Sequence, residues 1–375
     1  MKINLISKSN VVTLDYATRM RRLYGWLICV SFGMGTDSVA VLVEMHKRGI
    51  KPDQIVFAHV GNEWPETNAY REVIEDWLEE IGWLDVWTVV KRGQTTNERG
   101  SYSTLFQNCI TNKTMPSLAF GGRKGCSNAW KVDPIQKMQR NWPAAQECWQ
   151  NGGRIVQIIG YDGGPKDCKR GFSPAAKKDD GRYVYCYPLR DFGMDRAACI
   201  ASIDGAGLPQ PGKSACMFCP AMKPDELRRQ AQLYPDRARE IIWLEANAYE
   251  NNEKIDGLWG TPTRGCRGAE AKPGSMTEFL VGEELLPEFV GQQLVDPWWV
   301  DVPEKGYKGD LPAPLDPRDA WLLSKPVYNV LAAWQDTHRR HLVGEGFTLG
   351  QADQILAINL ESDMAMINSN IRLAA

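Results

Sequence analysis

Short apolar runs alternate with stretches of helical periodicity through the first half of the chain. Residues 26–31 (WLICVS), 55–61 (IVFAHVG), 86–90 (VWTVV) and 154–160 (RIVQIIG) are too short for buried helices and predict strands. Between them, residues 37–49 place Val39, Leu42, Val43 and His46 at helical spacing and stop at Gly49. Residues 65–82 open on Pro65 and close on Gly82, as a helix does. Strands separated by helices need right-handed crossovers, so the pattern predicts an α/β fold with a doubly wound, mostly parallel sheet. Further helices are predicted over 133–140, 195–203, 224–233 and 237–250, with a polar loop at 162–181. Residues 257–317 are rich in Gly and Pro and predict an extended wrap; 318–375 predicts helix again, with Thr348 as a cap. The resulting division is an N-terminal extension (1–25), an α/β domain (26–210), a helical segment carrying a CxxC pair (211–256), the wrap (257–317) and a helical C-terminal segment (318–375).

Composition narrows the class. The 375 residues carry 44 basic and 46 acidic side chains, a net charge of −2, so nucleic-acid contact would need a local patch rather than the whole surface. No window approaches the ~18 uninterrupted apolar residues of a membrane span. The first residues lack an apolar core followed by a small-residue cleavage site, which predicts a cytoplasmic protein. Ten cysteines in that setting point to metal or redox chemistry before disulfides. The fourteen tryptophans are expected to fill core and pockets.

The turn after the first predicted strand, Ser31 to Ser38 (SFGMGTDS), is the first candidate site. Glycines let backbone approach a phosphate, and a helix N-terminus offers unpaired N–H groups and the positive end of its dipole. Thr36 and Ser38 add hydroxyls. The Gly-Lys-Ser/Thr of a Walker loop is missing, as is the dinucleotide spacing, and a plain tight turn is the alternative.

Four blocks carry a resemblance. GMGTDSVAVL (33–42) resembles the SGGxDS loop of the N-type ATP pyrophosphatases, the PP-loop or adenine nucleotide alpha hydrolase-like superfamily. AHVGNEWPET (58–67) resembles the D-T-G-x-x-x-P-E-T stretch of that superfamily's phosphoadenosine phosphosulfate (PAPS) reductase branch. CSNAWKVDP (126–134) resembles the branch's C-x-x-x-x-K-x-x-P element, and residues 187–202 with 213–229 resemble its shorter phage- and prophage-type members. The blocks follow the family's order over about 26–245. Two positions depart: Gly33 and Met34 stand for the first Ser and Gly of SGGxDS, and His59 stands for the Asp of D-T-G.

The resemblance implies an adenine nucleotide, ATP or a relative, across the carboxyl ends of the strands. Its site would comprise Ser31, Gly33, Gly35, Thr36, Asp37 and Ser38, with Gly61 and Glu63 along the neighbouring edge. The ligand rule for open α/β sheets points to the same place. Asp37 is a candidate Mg²⁺ ligand and catalytic residue, with an N-cap role as the alternative. Lys131 is the second candidate catalytic residue, as a phosphate or substrate contact, and Lys166, Lys169, Arg170, Lys177, Lys178, Arg182 and Arg190 give the loop after the fourth strand a basic tilt that a solvated loop explains equally well.

Cys216 and Cys219 form a CxxC pair, and a tetrahedral metal or an iron–sulfur centre needs two more ligands. Cys126, in the family element, and Cys199 are the candidates, with Cys266 and then Cys186 in reserve. A 4Fe–4S cluster is the leading expectation; structural zinc, a redox dithiol and inert buried thiols are the alternatives. Cys29 reads as core, and Cys109, Cys148 and Cys168 carry no supporting context. The terminal E-C-G-L-H element of thioredoxin-dependent PAPS reductases has no counterpart, since the last cysteine is Cys266.

Together these imply a PAPS reductase-like ATP pyrophosphatase that adenylates a substrate, releases pyrophosphate and supports sulfur transfer through the cluster. The acceptor would be a nucleic acid or a small molecule, the donor a partner such as a cysteine desulfurase, and a homo-oligomer is compatible with all of this. Reduction of an adenylylated sulfate and a non-catalytic nucleotide-binding interaction protein are the alternatives. HRRHL (338–342) reads as a helix surface, with a phosphate-contacting patch as the alternative, and Trp298, Trp299 and Tyr307 read as pins for the wrap, with stacking on bases as the alternative.

Overall fold

The structure is a computed structural model that describes residues 10–120, 125–165, 167–169, 181–248, 254–265 and 270–286. Its elements in chain order begin with α1 (Leu14–Tyr24), β1 (Leu27–Phe32), α2 (Thr36–Lys47), β2 (Gln54–His59), α3 (Pro65–Glu80) and β3 (Trp87–Lys91). Next come β4 (Thr95–Asn97), β5 (Gly100–Tyr102), α4 (Leu105–Thr111), α5 (Gly125–Ser127), a π-helical turn (Asn128–Val132), α6 (Asp133–Arg140) and α7 (Pro143–Gln150). They are followed by β6 (Ile155–Ile159), β7 (Tyr183–Cys186), α8 (Pro188–Asp191), α9 (Arg196–Asp204), α10 (Pro224–Leu233), α11 (Pro235–Ala248) and α12 (Met276–Gly282). The chain forms two compact units: unit 1 is 1–92 with 128–215, and unit 2 is 93–127 with 216–375.

Unit 1 holds a five-stranded parallel sheet in the order β3-β2-β1-β6-β7. The fold is therefore α/β, doubly wound. Winding runs outward from β1 through β2 to β3, then returns to the other side of β1 at β6. That reversal makes the carboxyl ends of β1 and β6 the switch point, where two successive connections leave in opposite directions and open a crevice. Strand β1 packs on both faces: Ile28, Val30 and Phe32 join the main core, while Cys29 joins Ala145, Ile155 and Tyr183 on the other side. Cys29 is core, as its place in the strand predicts.

Helix α2 is buried over Val39, Ala40, Val41, Leu42, Val43, Glu44 and Met45, more than a single stripe, because α9 covers what the sheet does not. Each such apolar side chain contributes about 1.5–3 kcal/mol on burial. The buried Glu44 is satisfied across that contact: Ser202 on α9 donates to it at 2.5 Å and Lys47 at 3.0 Å, and Arg48 also donates to it.

Two parts of unit 1 differ from the sequence reading. The extension contains α1, capped by Thr13, whose hydroxyl accepts from the Tyr16 N–H at 3.3 Å, and ended by Gly25 at φ 65°. The sheet gains a fifth strand, β7, whose outer edge is covered by residues 10–12: Tyr185 N–H donates to Asn10 O at 3.0 Å and Val12 N–H to Tyr185 O at 2.8 Å. A four-residue edge strand carries too little periodicity to announce itself.

Unit 2 combines the β4–β5 hairpin with α4, α5, α10, α11 and α12. Residues 93–127 thus belong with the CxxC segment, although in sequence they lie inside the predicted 26–210 domain. Glu245 on α11 is the internal anchor. Its carboxylate accepts from the N–H groups of Leu258 (2.6 Å), Met276 (2.8 Å) and Thr277 (2.8 Å), and from the hydroxyls of Ser275 (2.6 Å) and Thr277 (2.5 Å). Phe106 on α4 packs on Phe218 and Trp243, at ring distances of 5.4 and 5.9 Å. Helix α12 falls inside the predicted wrap, where Ser275 caps it by accepting from Glu278 N–H at 3.2 Å. Among the described residues no helix is long and apolar enough to cross a membrane. Cys266, Trp298, Trp299, Tyr307, the 338–342 stretch, Thr348 and the helical segment 318–375 lie outside the described residues.

Candidate functional site

The loop from Ser31 to Gly35 leaves β1 at the switch point and delivers the chain into α2. Gly35 is the N-cap, extended at φ −106° and ψ 165°, so the cap is Gly35 and not Asp37. The Ser38 hydroxyl closes the first turn, accepting from Gly35 N–H at 3.1 Å and donating to Gly35 O at 2.8 Å. Met34 holds a left-handed backbone at φ 57°, a conformation that a glycine adopts without cost and that is about 1–2 kcal/mol unfavourable for a side-chain-bearing residue. Its side chain is fully buried in the main core, which offsets that cost.

Neighbouring segments shape the loop further. Ser31 Oγ accepts from Gln157 Nε2 on β6 at 2.7 Å, and Gln157 accepts in turn from Gln139 at 3.3 Å. At the end of β6, a Cβ on Gly160 would lie 2.8 Å from Ser38 N and 2.9 Å from the Asp37 carbonyl, so the strand end meets the first turn of α2 only because residue 160 has no side chain. Ser214 donates its hydroxyl to Gly33 O. The segment around it is pinned to α3: Tyr70 OH donates to Pro209 O and Thr67 Oγ1 to Lys213 O, each at 2.8 Å.

Along the neighbouring edge, Glu63 turns back on its own loop, accepting from Val60 N–H at 2.7 Å and Gly61 N–H at 3.1 Å. His59 Nε2 stands 3.6 Å from the same carboxylate. Gly61 is exposed with φ 100°, a conformation that favours glycine.

Asp37 lies in the first turn of α2 with Arg196 Nη1 at 2.7 Å. Carboxylate oxygens of Asp37, Asp162 and Asp167 come within 4.8 Å of one another. Burial raises the Asp37 carboxyl above its usual range and the two neighbouring aspartates add to that, with Arg196 pulling the other way. Three hard oxygen donors held together suit Mg²⁺, which needs few protein ligands and keeps the rest as water or phosphate oxygen. Lys131 lies on the π-helical turn, partly exposed. Arg182 packs over Trp149 at 5.3 Å, and Arg190 over Tyr187 at 4.4 Å beside the stacked Tyr161 ring. The side chains of Lys166, Lys169, Arg170, Lys177 and Lys178 lie outside the described set.

The cysteines separate by unit. Cys126, Cys216 and Cys219 belong to unit 2, whereas Cys199 belongs to unit 1, where it is fully buried on α9 in the main core. Burial, with Asp37 and Asp162 close by, pushes the Cys199 thiol up to about 12. Cys109 on α4, which nothing in the sequence singled out, lies in unit 2 close enough to Cys126 and Cys216 for their charges to interact. Cys186 is buried on β7 in unit 1. Among the described residues no cysteine takes part in a disulfide.

Sequence reasoning thus found the loop and missed what surrounds it: Gly160, Asp162, Asp167, Arg196 and Ser214. The D-G-G of residues 162–164, directly after a predicted strand end, is the one signal that could have marked the acidic pair. No family model matches the chain, and no curated protein matches it.

Proposed function

We propose that the chain is a PAPS reductase-like ATP pyrophosphatase that adenylates a substrate and supports sulfur transfer. The observation that carries the reading is the glycine-bearing loop feeding the N-terminus of α2 at the sheet's switch point. There, the N–H groups of the first turn, which no helix carbonyl can satisfy, face a position for phosphate. Gly33 and Gly35 keep the approach clear, and Ser31, oriented by Gln157, can present its proton to a phosphate oxygen. Asp37, Asp162 and Asp167 would hold Mg²⁺, which neutralises charge on the leaving pyrophosphate. Were Asp37 to hold the metal, Arg196 would be able to pair with phosphate oxygen, where a planar guanidinium binds two oxygens at once. Lys131 is assigned to substrate, and Gly61 and Glu63 to the nucleotide's edge.

Adenylation makes chemical sense because an AMP ester leaves far more readily than hydroxide. The cysteines of unit 2 fit an iron–sulfur centre by donor type, and such a centre supplies electrons or sulfide chemistry to the transfer. The acceptor is a nucleic acid or small molecule and the sulfur donor a partner protein. That assignment follows the resemblance alone.

The test is ATP affinity by calorimetry, with ATP–pyrophosphate exchange measured alongside. Asp37→Asn should weaken Mg²⁺-dependent ATP binding at least tenfold and abolish any exchange, and Gly35→Ala should weaken binding with or without Mg²⁺. Unchanged affinity in both variants removes the site. Tight ATP binding without exchange across candidate acceptors favours the interaction protein, and sulfite release from adenylylated sulfate favours the reductase.

A further inference from the structure

We propose that Gln157, itself held by Gln139, is a positioning residue: it occupies Ser31 Oγ as an acceptor and so commits the Ser31 proton to a hydrogen-bond acceptor on the ligand, such as a phosphate oxygen. The inference deepens the nucleotide reading and rests on it; the cysteines play no part.

A row of buried amides stands where apolar side chains are the rule. Strands β1, β2 and β6 occupy the middle of a parallel sheet covered on both faces, a setting in which strands run as nearly continuous apolar residues. Yet β2 opens on Gln54, and β6 carries Gln157 at its centre. The register puts both beside Cys29 of β1, on one face of the sheet. Ser31 follows two positions further along β1 and so lies on that same face, half-buried. Gln139 of α6 completes the row and is fully buried. A bonded pair of buried polar groups can be replaced by apolar groups of the same shape at little cost, so stability alone does not call for these amides.

One backbone carbonyl fixes every direction in the row. Cys29 O can only accept, so the Gln157 amide turns its nitrogen to β1. That nitrogen donates to Cys29 O at 3.3 Å and to Ser31 Oγ at 2.7 Å. The Gln157 oxygen is then left to accept from Gln139 Nε2 at 3.3 Å. Gln139 Nε2 gives its other hydrogen to Gln54 Oε1 at 3.4 Å, and Gln54 Nε2 donates to Met138 Sδ at 3.2 Å. Reversing the Gln157 amide would set oxygen against the Cys29 carbonyl and nitrogen against Gln139 Nε2, two repulsive contacts at once.

Ser31 Oγ receives the shortest bond of the row. A serine hydroxyl by itself gives or accepts with equal ease. With Gln157 donating to its oxygen, the Ser31 proton points elsewhere, and Ser31 stands at the carboxyl end of β1, where the phosphate loop begins. A donor aimed before the ligand arrives binds more tightly than one that must be turned on binding.

ATP affinity of the full-length protein, measured by calorimetry with Mg²⁺, tests this. Ser31→Ala should weaken binding about ten- to a hundredfold, the range for a hydrogen bond to a charged group. Gln157→Leu leaves the hydroxyl free to turn and should cost about three- to tenfold. Gln157→Glu, when ionised, can only accept from Ser31; it draws the proton inward and should lose at least as much as Ser31→Ala. In the Ser31→Ala background, Gln157→Leu should cost nothing further, whereas a residue that merely shaped the loop would give losses that add. Thermal melts check that each variant folds, and if Gln157→Glu does not, the cycle of Ser31→Ala with Gln157→Leu decides. Additive losses, or wild-type affinity in either single variant of that cycle, overturn the inference; weakened binding in Gly35→Ala then leaves the nucleotide site standing. Wild type that binds no ATP, or wild-type affinity in both Gly35→Ala and Asp37→Asn, overturns the inference together with the reading beneath it.

Discussion

Glu44 offers a quantitative test of how the helix behind the loop is held. Its side chain is 9% exposed and sits between α2 and α9, where Ser202, Lys47 and Arg48 all donate to it. Burial alone would raise its carboxyl. The hydrogen bonds from Ser202, Arg48 and Lys47 outweigh burial and bring it from a glutamate's usual 4.5 down to about 2. A carboxyl with a depressed folded-state value stabilises the fold above its unfolded value and loses that contribution as pH falls through the folded one. At 1.36 kcal/mol per pH unit the gap is worth about 3 kcal/mol at neutral pH. Roughly 1.4 kcal/mol of it should be gone at pH 3.5, and little at pH 5. Glu44→Gln keeps the shape and removes the charge, so subtracting its stability from wild type cancels the other titrating groups. Urea unfolding followed by tryptophan fluorescence, at pH 7, 5 and 3.5, should give a difference that is largest and flat between 7 and 5 and about 1.4 kcal/mol smaller at 3.5. A difference that does not change with pH would refute the reasoning, because Glu44 would then not be ionised preferentially in the folded state.

Two further substitutions probe the close approaches. Gly160→Ala must displace backbone at Asp37 and Ser38, and should cost about 1–3 kcal/mol and weaken ATP binding; Gly282→Ala, with open space around its Cβ, should be neutral or slightly stabilising in the same thermal melts. Glu245→Ala strands five buried donors, each costing about 1–3 kcal/mol when unpaired, and should open residues 254–286 to limited proteolysis. Protease resistance equal to wild type would show that those donors find other partners.

The parallel sheet was legible along the chain because buried strands and their crossover helices write their periods locally: 26–31, 55–61, 86–90 and 154–160 correspond to β1, β2, β3 and β6. The loop from Ser31 to Ser38 was legible for the same reason, since turn chemistry and helix starts depend on adjacent residues. β7 was not, because an edge strand of four residues is defined by the partner that pairs with it, Val156 with Val184 and Gln157 with Tyr185. The site's remaining walls were not legible either. Asp162, Arg196 and Ser214 reach the loop from positions more than a hundred residues along the chain, and only the order of strands in the sheet sets which strand ends meet. Gly160 looks like any strand-ending glycine until Ser38 N stands 2.8 Å from its missing Cβ. The cysteines divide in the same way. The CxxC spacing could be read directly, but its neighbours could not. Cys199 is buried on α9 in unit 1, and Cys109, unremarkable in sequence, is buried on α4 in unit 2. Local sequence sets period, caps and turns. Which distant side chains share a site follows from tertiary packing, where apolar faces choose their partners over long stretches of chain.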